Sequence, residues 1–237
     1  MKIEKNVLQS FLESILLKGE HQNKECILSV NKEGLQAILL SADGTTAIKA
    51  NLNISVDKGS EEWGIDNLPL LVEAVKTFKE GEISVTKNKN KLVVSQGKQK
   101  ATLILRDTEY IKNGIEEAKL NTLKTREAVG FDLELPLIKE ISSFLNSFKS
   151  KALRMEGEGS EFNIYIESNE NSFEKSYDIG EGVVLPKFVV LVGSPFVDII
   201  NSVKSKINIK ATTGKALECT VSNDNMTVEY FVATMRD

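Results

Sequence analysis

Read for periodicity, the sequence runs helix, strands, helix, strands, and then does so again. That recurrence constrains the fold more than any other feature, because the same order met twice in 237 residues calls for two domains of one plan. The first predicted helix spans about Glu4 to Lys18, with the apolar stripe Val7, Leu8, Phe11, Leu12, Ile15 and Leu16 and with Gly19 as its C-terminal cap. "NLPLLVEAVKTFK" predicts the second, with Asn67 as N-cap, Pro69 in the first turn and a stripe of Leu68, Leu71, Val72, Val75 and Phe78. "PLIKEISSFLNSFK" predicts the third, with Leu137, Ile138, Ile141, Phe144, Leu145 and Phe148 on one side. In the fourth, "SPFVDIINSVKSK", Ser194 is the expected cap, Pro195 the first helical residue, and Phe196, Ile199, Ile200 and Val203 the buried side.

Alternating runs fill the intervals. "ECILSV", "GLQAILLS" and "TTAIKANLNI" lie between the first two helices, and "EISVTK", "NKLVVS" and "QKATLIL" follow the second. The second half supplies "KALRMEG", "EFNIYIES", "SFEKSYDIG" and "KFVVLVG", then "KINIKA", "KALECTVS" and "MTVEYFVAT". The third helix lies about 130 residues after the first, and at a shift of 124 Ile83 falls on Ile207, Val85 on Ile209 and Lys91 on Lys215. The polar stretch Arg106–Gly130 breaks the pattern. The reading is therefore a domain over 1–107, a connector over 108–128 and a second domain over 129–237, each an antiparallel sheet with two helices in an α+β fold.

Composition excludes several functions. At 41% hydrophobic and 27% charged the chain can bury a full core. The start mixes charge with apolar residues, so neither a signal peptide nor a membrane span is expected. Cys26 and Cys219 are far apart within strand-like runs, which reads as two buried free thiols in a reducing compartment, cytoplasmic or nuclear. His21, in the loop "KGEHQNKE", reads as a solvated surface residue. With no HExxH, P-loop, GxSxG or dinucleotide fingerprint, no enzyme activity and no cofactor or metal is expected. A net charge of −4 disfavours nucleic acid unless the cations are concentrated on one surface. Over 2–18, 67–79, 137–151 and 195–206 ten lysines face five acids, an excess of +5 against −9 for the rest.

Two tandem domains of this plan over about 240 residues, joined by a long connector and ending on a strand, resemble the DNA sliding clamps of the two-domain kind, proliferating cell nuclear antigen (PCNA) and the clamps of archaea and tailed phages. "GLQAILLSADGTTAI" is similar to the clamp segment of strand, turn and strand. "YFVATM" stands where such clamps end on a tyrosine-rich strand and a short Ala-Pro tail, although this chain has Ala233–Thr234 there. The resemblance implies a ring-forming processivity fold. It also implies a non-enzymatic homotrimer that encircles duplex DNA without reading sequence, tethers DNA polymerase and other clamp-binding proteins, and is opened by a separate ATP-dependent loader. The alternatives are a monomeric or dimeric clamp-like subunit that holds DNA on a basic face, and an α+β protein-binding module with no role on DNA.

By the same resemblance the channel would be lined by Lys5, Lys18, Lys76, Lys79, Lys139, Asn146, Lys149, Lys204 and Lys206. Subunits would join through the edge strands Ala101–Arg106, with Ala101, Leu103 and Leu105, and Phe173–Ile179, with Phe173, Lys175 and Tyr177. Partner peptides would dock against Ala42, Asp43 and Ile48, the connector residues Ile111, Ile115, Leu120 and Leu123, Pro186, and a free tail beginning Val232, Ala233, Thr234 and Met235.

Overall fold

The computed structural model describes residues 1–56, 59–124, 128, 130–167, 172–178 and 182–235. Its first repeat consists of β1 (Lys2–Glu4), α1 (Lys5–Leu16), β2 (Cys26–Asn31), β3 (Gly34–Leu40), β4 (Thr46–Asn53), β5 (Glu61–Ile65), α2 (Leu68–Lys76), β6 (Glu82–Asn88), β7 (Lys91–Gln96) and β8 (Gln99–Ile104). The connector contains α3 (Glu117–Leu123). The second repeat consists of β9 (Gly130–Leu133), α4 (Leu135–Phe148), β10 (Leu153–Gly159), β11 (Glu161–Glu167), β12 (Ser172–Asp178), β13 (Leu185–Val192), α5 (Ser194–Ser202), β14 (Ile207–Lys210), β15 (Leu217–Ser222) and β16 (Met226–Val232), with β17 (Thr234–Met235) after it.

Topology shows the duplication directly. In the first repeat the strands hydrogen-bond in the orders β1-β6-β7-β8 and β5-β2-β3-β4; in the second the orders are β9-β14-β15-β16 and β13-β10-β11-β12. Adding eight to each strand number of the first repeat reproduces the second. Even the exits agree: past β8 the chain touches β5 through a Gly64–Arg106 bridge, and past β16 it pairs with β13 as β17.

By contacts the backbone forms two compact units, residues 1–116 with 223–228 and residues 117–222 with 229–237. The expected connector is divided between them. In the first unit the Lys112 amide donates to Glu25 Oε1 (2.8 Å), the Asn113 side chain donates to the Glu25 carbonyl (2.6 Å), and the Leu40 amide donates to the Asn113 carbonyl (2.8 Å). In the second, α3 buries Leu120 completely and Lys124 pairs with Glu229 at 3.2 Å.

Most of each stripe read from sequence is core, while Val7, Leu16, Leu137, Phe144, Phe148 and Val203 are only half-buried, the last beyond the end of α5. Phe11, Leu12, Ile15, Leu68, Leu71 and Val72 are buried in the first unit. In the second, Phe131 lies 4.8 Å from Phe162 and 6.2 Å from Phe188 between ring centroids, beside Ile138, Ile141, Phe196 and Ile200. Asn67 caps α2 as expected, its side chain accepting from the Leu70 amide at 2.9 Å. Two capping expectations fail. α1 ends at Leu16 with Leu17 at φ 54, ahead of a 3-10 turn at Gly19–His21, so Gly19 caps no helix. Ser194 is already helical, and Gly193 stands at the N-cap of α5 with no side-chain acceptor.

Gly34 shows how closely the sheet is drawn in. It sits at φ +139 opposite Asn53, and a Cβ there would come within 1.8 Å of the Leu52 carbonyl oxygen.

Candidate nucleic-acid interface and docking surfaces

Each repeat sets two helices side by side, and their outward faces differ in charge. In the second unit Ser142 Oγ on α4 donates to Asn201 Oδ1 on α5 at 2.5 Å. The Asn146 amide donates to the same oxygen and to Ser142 Oγ, both at 3.4 Å. The seam is thus neutral amide and hydroxyl. Lys139 on α4, Lys149 at its end and Lys204 beyond α5 are exposed, with no ion partner among the described residues. Lys206 is exposed but tied to Asp132 at 2.6 Å, which holds the Asp132 carboxyl below its usual range. Of the acids on these helices, Glu140 is paired with Lys175, and Asp198 also has a partner.

In the first unit the seam is an ionic chain. Gln9 donates to Glu13 at 2.8 Å, and Lys76 reaches Glu13 at 3.6 Å and Glu73 at 2.8 Å. Lys18 and Lys79 are exposed without an ion partner among the described residues. Lys5 is the exception among the expected channel residues: it is 8% exposed and its ammonium lies 3.1 Å from Glu80. Its ammonium is buried and already paired with Glu80, so it is not presented at the surface.

The positive excess counted over generous segments also moves. Inside α1, α2, α4 and α5 only Lys5, Lys76 and Lys139 remain, against Glu13, Glu73, Glu140 and Asp198. Lys18, Lys79, Lys149, Lys204 and Lys206 all follow helix C-termini, where a cation also offsets the negative end of the helix dipole. Apart from Lys139 within α4, the unpaired cations of this surface therefore stand at helix ends.

β8 and β12 each end a sheet. On β8 the side chains of Leu103 and Leu105 point into the core (9% and 8% exposed), with Ala101 on the same face. What the strand offers outward is its backbone and the alternate residues Lys100, Thr102 and Ile104, the last 67% exposed. On β12 the ring of Phe173 stacks on Phe144 of α4 at 3.8 Å. Lys175 pairs with Glu140 at 2.5 Å and lies 5.0 Å from the Tyr177 ring. Burial, and then Glu140, pushes the Tyr177 hydroxyl up to about 12. Ile179 lies outside the described residues.

The expected docking residues fall in both units. Ala42 and Asp43 occupy the exposed turn between β3 and β4, but Ile48 is wholly buried and Ile111 is 7% exposed, so both are core. Ile115 is half-buried. The turn is pinned from a residue taken for solvated surface: His21 is 4% exposed, and its Nδ1 lies 2.8 Å from Asp43 Oδ2. Asp43 also accepts from Ser41 Oγ (2.6 Å) and from the Thr45 hydroxyl (2.6 Å) and amide (3.3 Å). Burial raises its pKa, but these hydrogen bonds outweigh burial and hold it down to about 2. A depressed carboxyl stabilises the fold above its unfolded value, near 4, and that contribution is lost as pH falls through about 2. Acid titration followed by circular dichroism should show Asp43→Asn losing less stability than the parent between those limits.

In the second unit Leu120 is fully buried, Leu123 is 37% exposed, and Pro186 and Ala233 are exposed. Val232 is core. The tail is not free. Thr234 and Met235 pair with Val192 and Leu191, and Thr234 Oγ1 donates to the Lys215 carbonyl at 3.1 Å, leaving Met235 52% exposed. Arg236 and Asp237 lie outside the described residues. Sequence reading missed the His21–Asp43 pair, whose partners are 22 positions apart. Among the described residues no group of three or more His, Cys, Asp or Glu is placed to hold a metal ion.

Solved structures match over the whole chain. A. fulgidus PCNA, solved with the C-terminal region of FEN-1 bound, superposes with a TM-score of 0.82 at 11% identity, covering 100% of this chain and 98% of that one. PCNA from Entamoeba histolytica gives 0.79 at 11% identity, covering 99% and 98%. The PCNA2–PCNA3 complex of Sulfolobus tokodaii gives 0.75 at 12%, covering 99% of each chain. No protein-family model matches the sequence, and no curated protein matches it. At these identities the likeness is one of fold: the chain has the two-domain α+β architecture of the PCNA sliding clamps.

Proposed function

We propose that this chain, having the fold of the two-domain sliding clamps, is a DNA sliding clamp: a non-enzymatic processivity factor that closes as a homotrimeric ring around duplex DNA. The observation that carries the reading is the full-length superposition at TM-score 0.82. The free sheet ends at β8 and β12 support it, since a head-to-tail ring needs two different edges on each protomer. In this reading polymerase and other replication proteins dock through short apolar peptides. The exposed Ala42 turn, Leu123 and Met235 are residues such peptides meet, and a separate ATP-driven loader opens the ring.

Light scattering tests the assembly: a particle about three times 26.2 kDa is expected, and a particle of 26.2 kDa would sink the ring. Function is read as the length of product a polymerase makes on primed DNA with and without the protein. Lys139→Glu with Lys149→Glu should weaken duplex binding and lower the slope of log affinity against log salt by about 0.9 for each phosphate that is no longer neutralised. An unchanged slope would remove these two lysines from the DNA surface.

A further inference from the structure

We infer that the two repeats are not equivalent towards DNA: the duplex backbone runs against the helix pair of the second repeat, α4 and α5, while the pair of the first, α1 and α2, holds it off. This rests on the sliding-clamp reading above and adds which half of the protomer meets the phosphates.

Burial aligns the helix pairs position by position. Leu8, Phe11 and Ile15 of α1 correspond to Ile138, Ile141 and Leu145 of α4, all buried. Leu68, Leu71 and Val72 of α2 likewise correspond to Phe196, Ile199 and Ile200 of α5. With the buried faces in register, the outward positions can be compared one for one. Gln9 of the first repeat corresponds to Lys139 of the second, Glu13 to Ser143, Glu73 to Asn201 and Lys76 to Lys204. In the same register Ser10 corresponds to Glu140, which is paired with Lys175, and the exposed Leu70 to Asp198, which also has a partner. The first set thus carries two carboxylates sharing one ammonium; the second carries two unpaired ammonium groups, and its two acids are both engaged.

The hydrogen bonding sharpens the difference. The one lysine of the first set is already bound to both carboxylates, at 3.6 and 2.8 Å, so it has little charge left for a phosphate. Glu73, with a side chain 68% exposed, would face an approaching backbone as a like charge. In the second set Asn201 is engaged with Ser142 and Asn146, and Lys139 and Lys204 have no ion partner among the described residues. A surface of amides and hydroxyls between unpaired cations suits a polyanion that must be held without base contacts. Phosphate–lysine attraction with release of counterions then acts more strongly on the second half of each protomer, since the first offers Lys18 and Lys79 only at its helix ends, together with the exposed Glu73.

Two pairs of added charges, one on each repeat, test this. Ser143→Glu with Asn201→Glu places two carboxylates on the second repeat; Gln9→Glu with Ser10→Glu places two on the first. All four positions are at least partly exposed, and circular dichroism and light scattering check fold and assembly. Binding of the full-length chain to a short blunt DNA duplex is followed by fluorescence anisotropy across a fourfold range of salt. The second-repeat variant should bind more weakly, and the loss of about two phosphates should reduce its change in affinity across the fourfold salt range by about tenfold; the first-repeat variant should behave about as the parent does. Equal weakening in both variants would overturn the inequivalence while leaving DNA binding in place. A folded parent that binds no duplex would overturn the clamp reading itself and this inference with it. As a second readout, both native thiols are fully buried, so a photo-crosslinker can be placed selectively on Ser147→Cys or Ser10→Cys. Adducts with DNA should form from the first; adducts equally strong from the second would overturn the inference.

Discussion

Thr102→Pro is expected to leave each protomer folded and to abolish the proposed ring. The turn Gly97–Lys98 makes Gln96 and Gln99 a hydrogen-bonded pair, so the pairs Val94–Ala101 and Leu92–Leu103 are bonded too. The Leu105 amide, donating to the Asn90 carbonyl at 2.7 Å, continues the same alternation. By that parity the amides of Lys100, Thr102 and Ile104 point away from β7, towards whatever strand adds to this edge. Proline at 102 removes the middle donor and sets a ring in the path of the incoming strand, without removing a bond from the hairpin. Light scattering should show the particle falling from about three times 26.2 kDa to a single chain, with stimulation of polymerase lost along with it. A Thr102→Pro protein that still assembles would show that β8 is not the joining edge.

Gly34→Ala should be the most damaging small substitution in the first unit. The added Cβ would stand 1.8 Å from the Leu52 carbonyl oxygen and 3.0 Å from the Ile54 amide nitrogen. Both are backbone atoms, so β3 or β4 must move. Together with the strain of alanine at φ +139, this should cost at least about 3 kcal/mol, a large part of the stability of a unit this size. Gly97→Ala is the control: Gly97 is also left-handed, at φ 57, but a Cβ there meets nothing within 4 Å. Its cost should stay at about 1 kcal/mol. Denaturant unfolding separates the two, and equal destabilisation would mean that backbone conformation, and not the approach of β4, is what Gly34 serves.

The elements read well from sequence are those with an uninterrupted stripe. α1, α2, α4 and α5 stand within a few residues of their expected places because Leu8, Phe11, Leu71, Ile141 and Ile199 fall on the helical period with no competing alternation. β1, β5 and β9 were invisible for physical reasons. β1 is three residues running straight into a helix, β5 opens on Glu61 and Glu62 before its buried Trp63, and β9 has only Phe131 and Leu133 to show an alternation. α3 gives one buried leucine in a polar run, too little for a stripe. The charge on the candidate surface was legible in sign but not in position. Excluding Lys5 from it required knowing that Glu80, 75 residues away, lies beside it. The tail read as free because pairing through Thr234 and Met235 is a backbone matter that side-chain pattern does not record.

The strand order shared by the two repeats also bears on how such a chain can evolve. Two copies that keep one topology while sharing few side chains have drifted separately, held only to the burial pattern each sheet demands. A domain that existed once per protomer would have to meet every demand on its helix face at the same time. With two copies in one polypeptide, the position held by Glu13 in one half can become Ser143 in the other at no cost to the fold. Duplication thus lets the two helix faces of one chain differ, with Glu13 and Glu73 on one and Ser143 and Asn201 on the other.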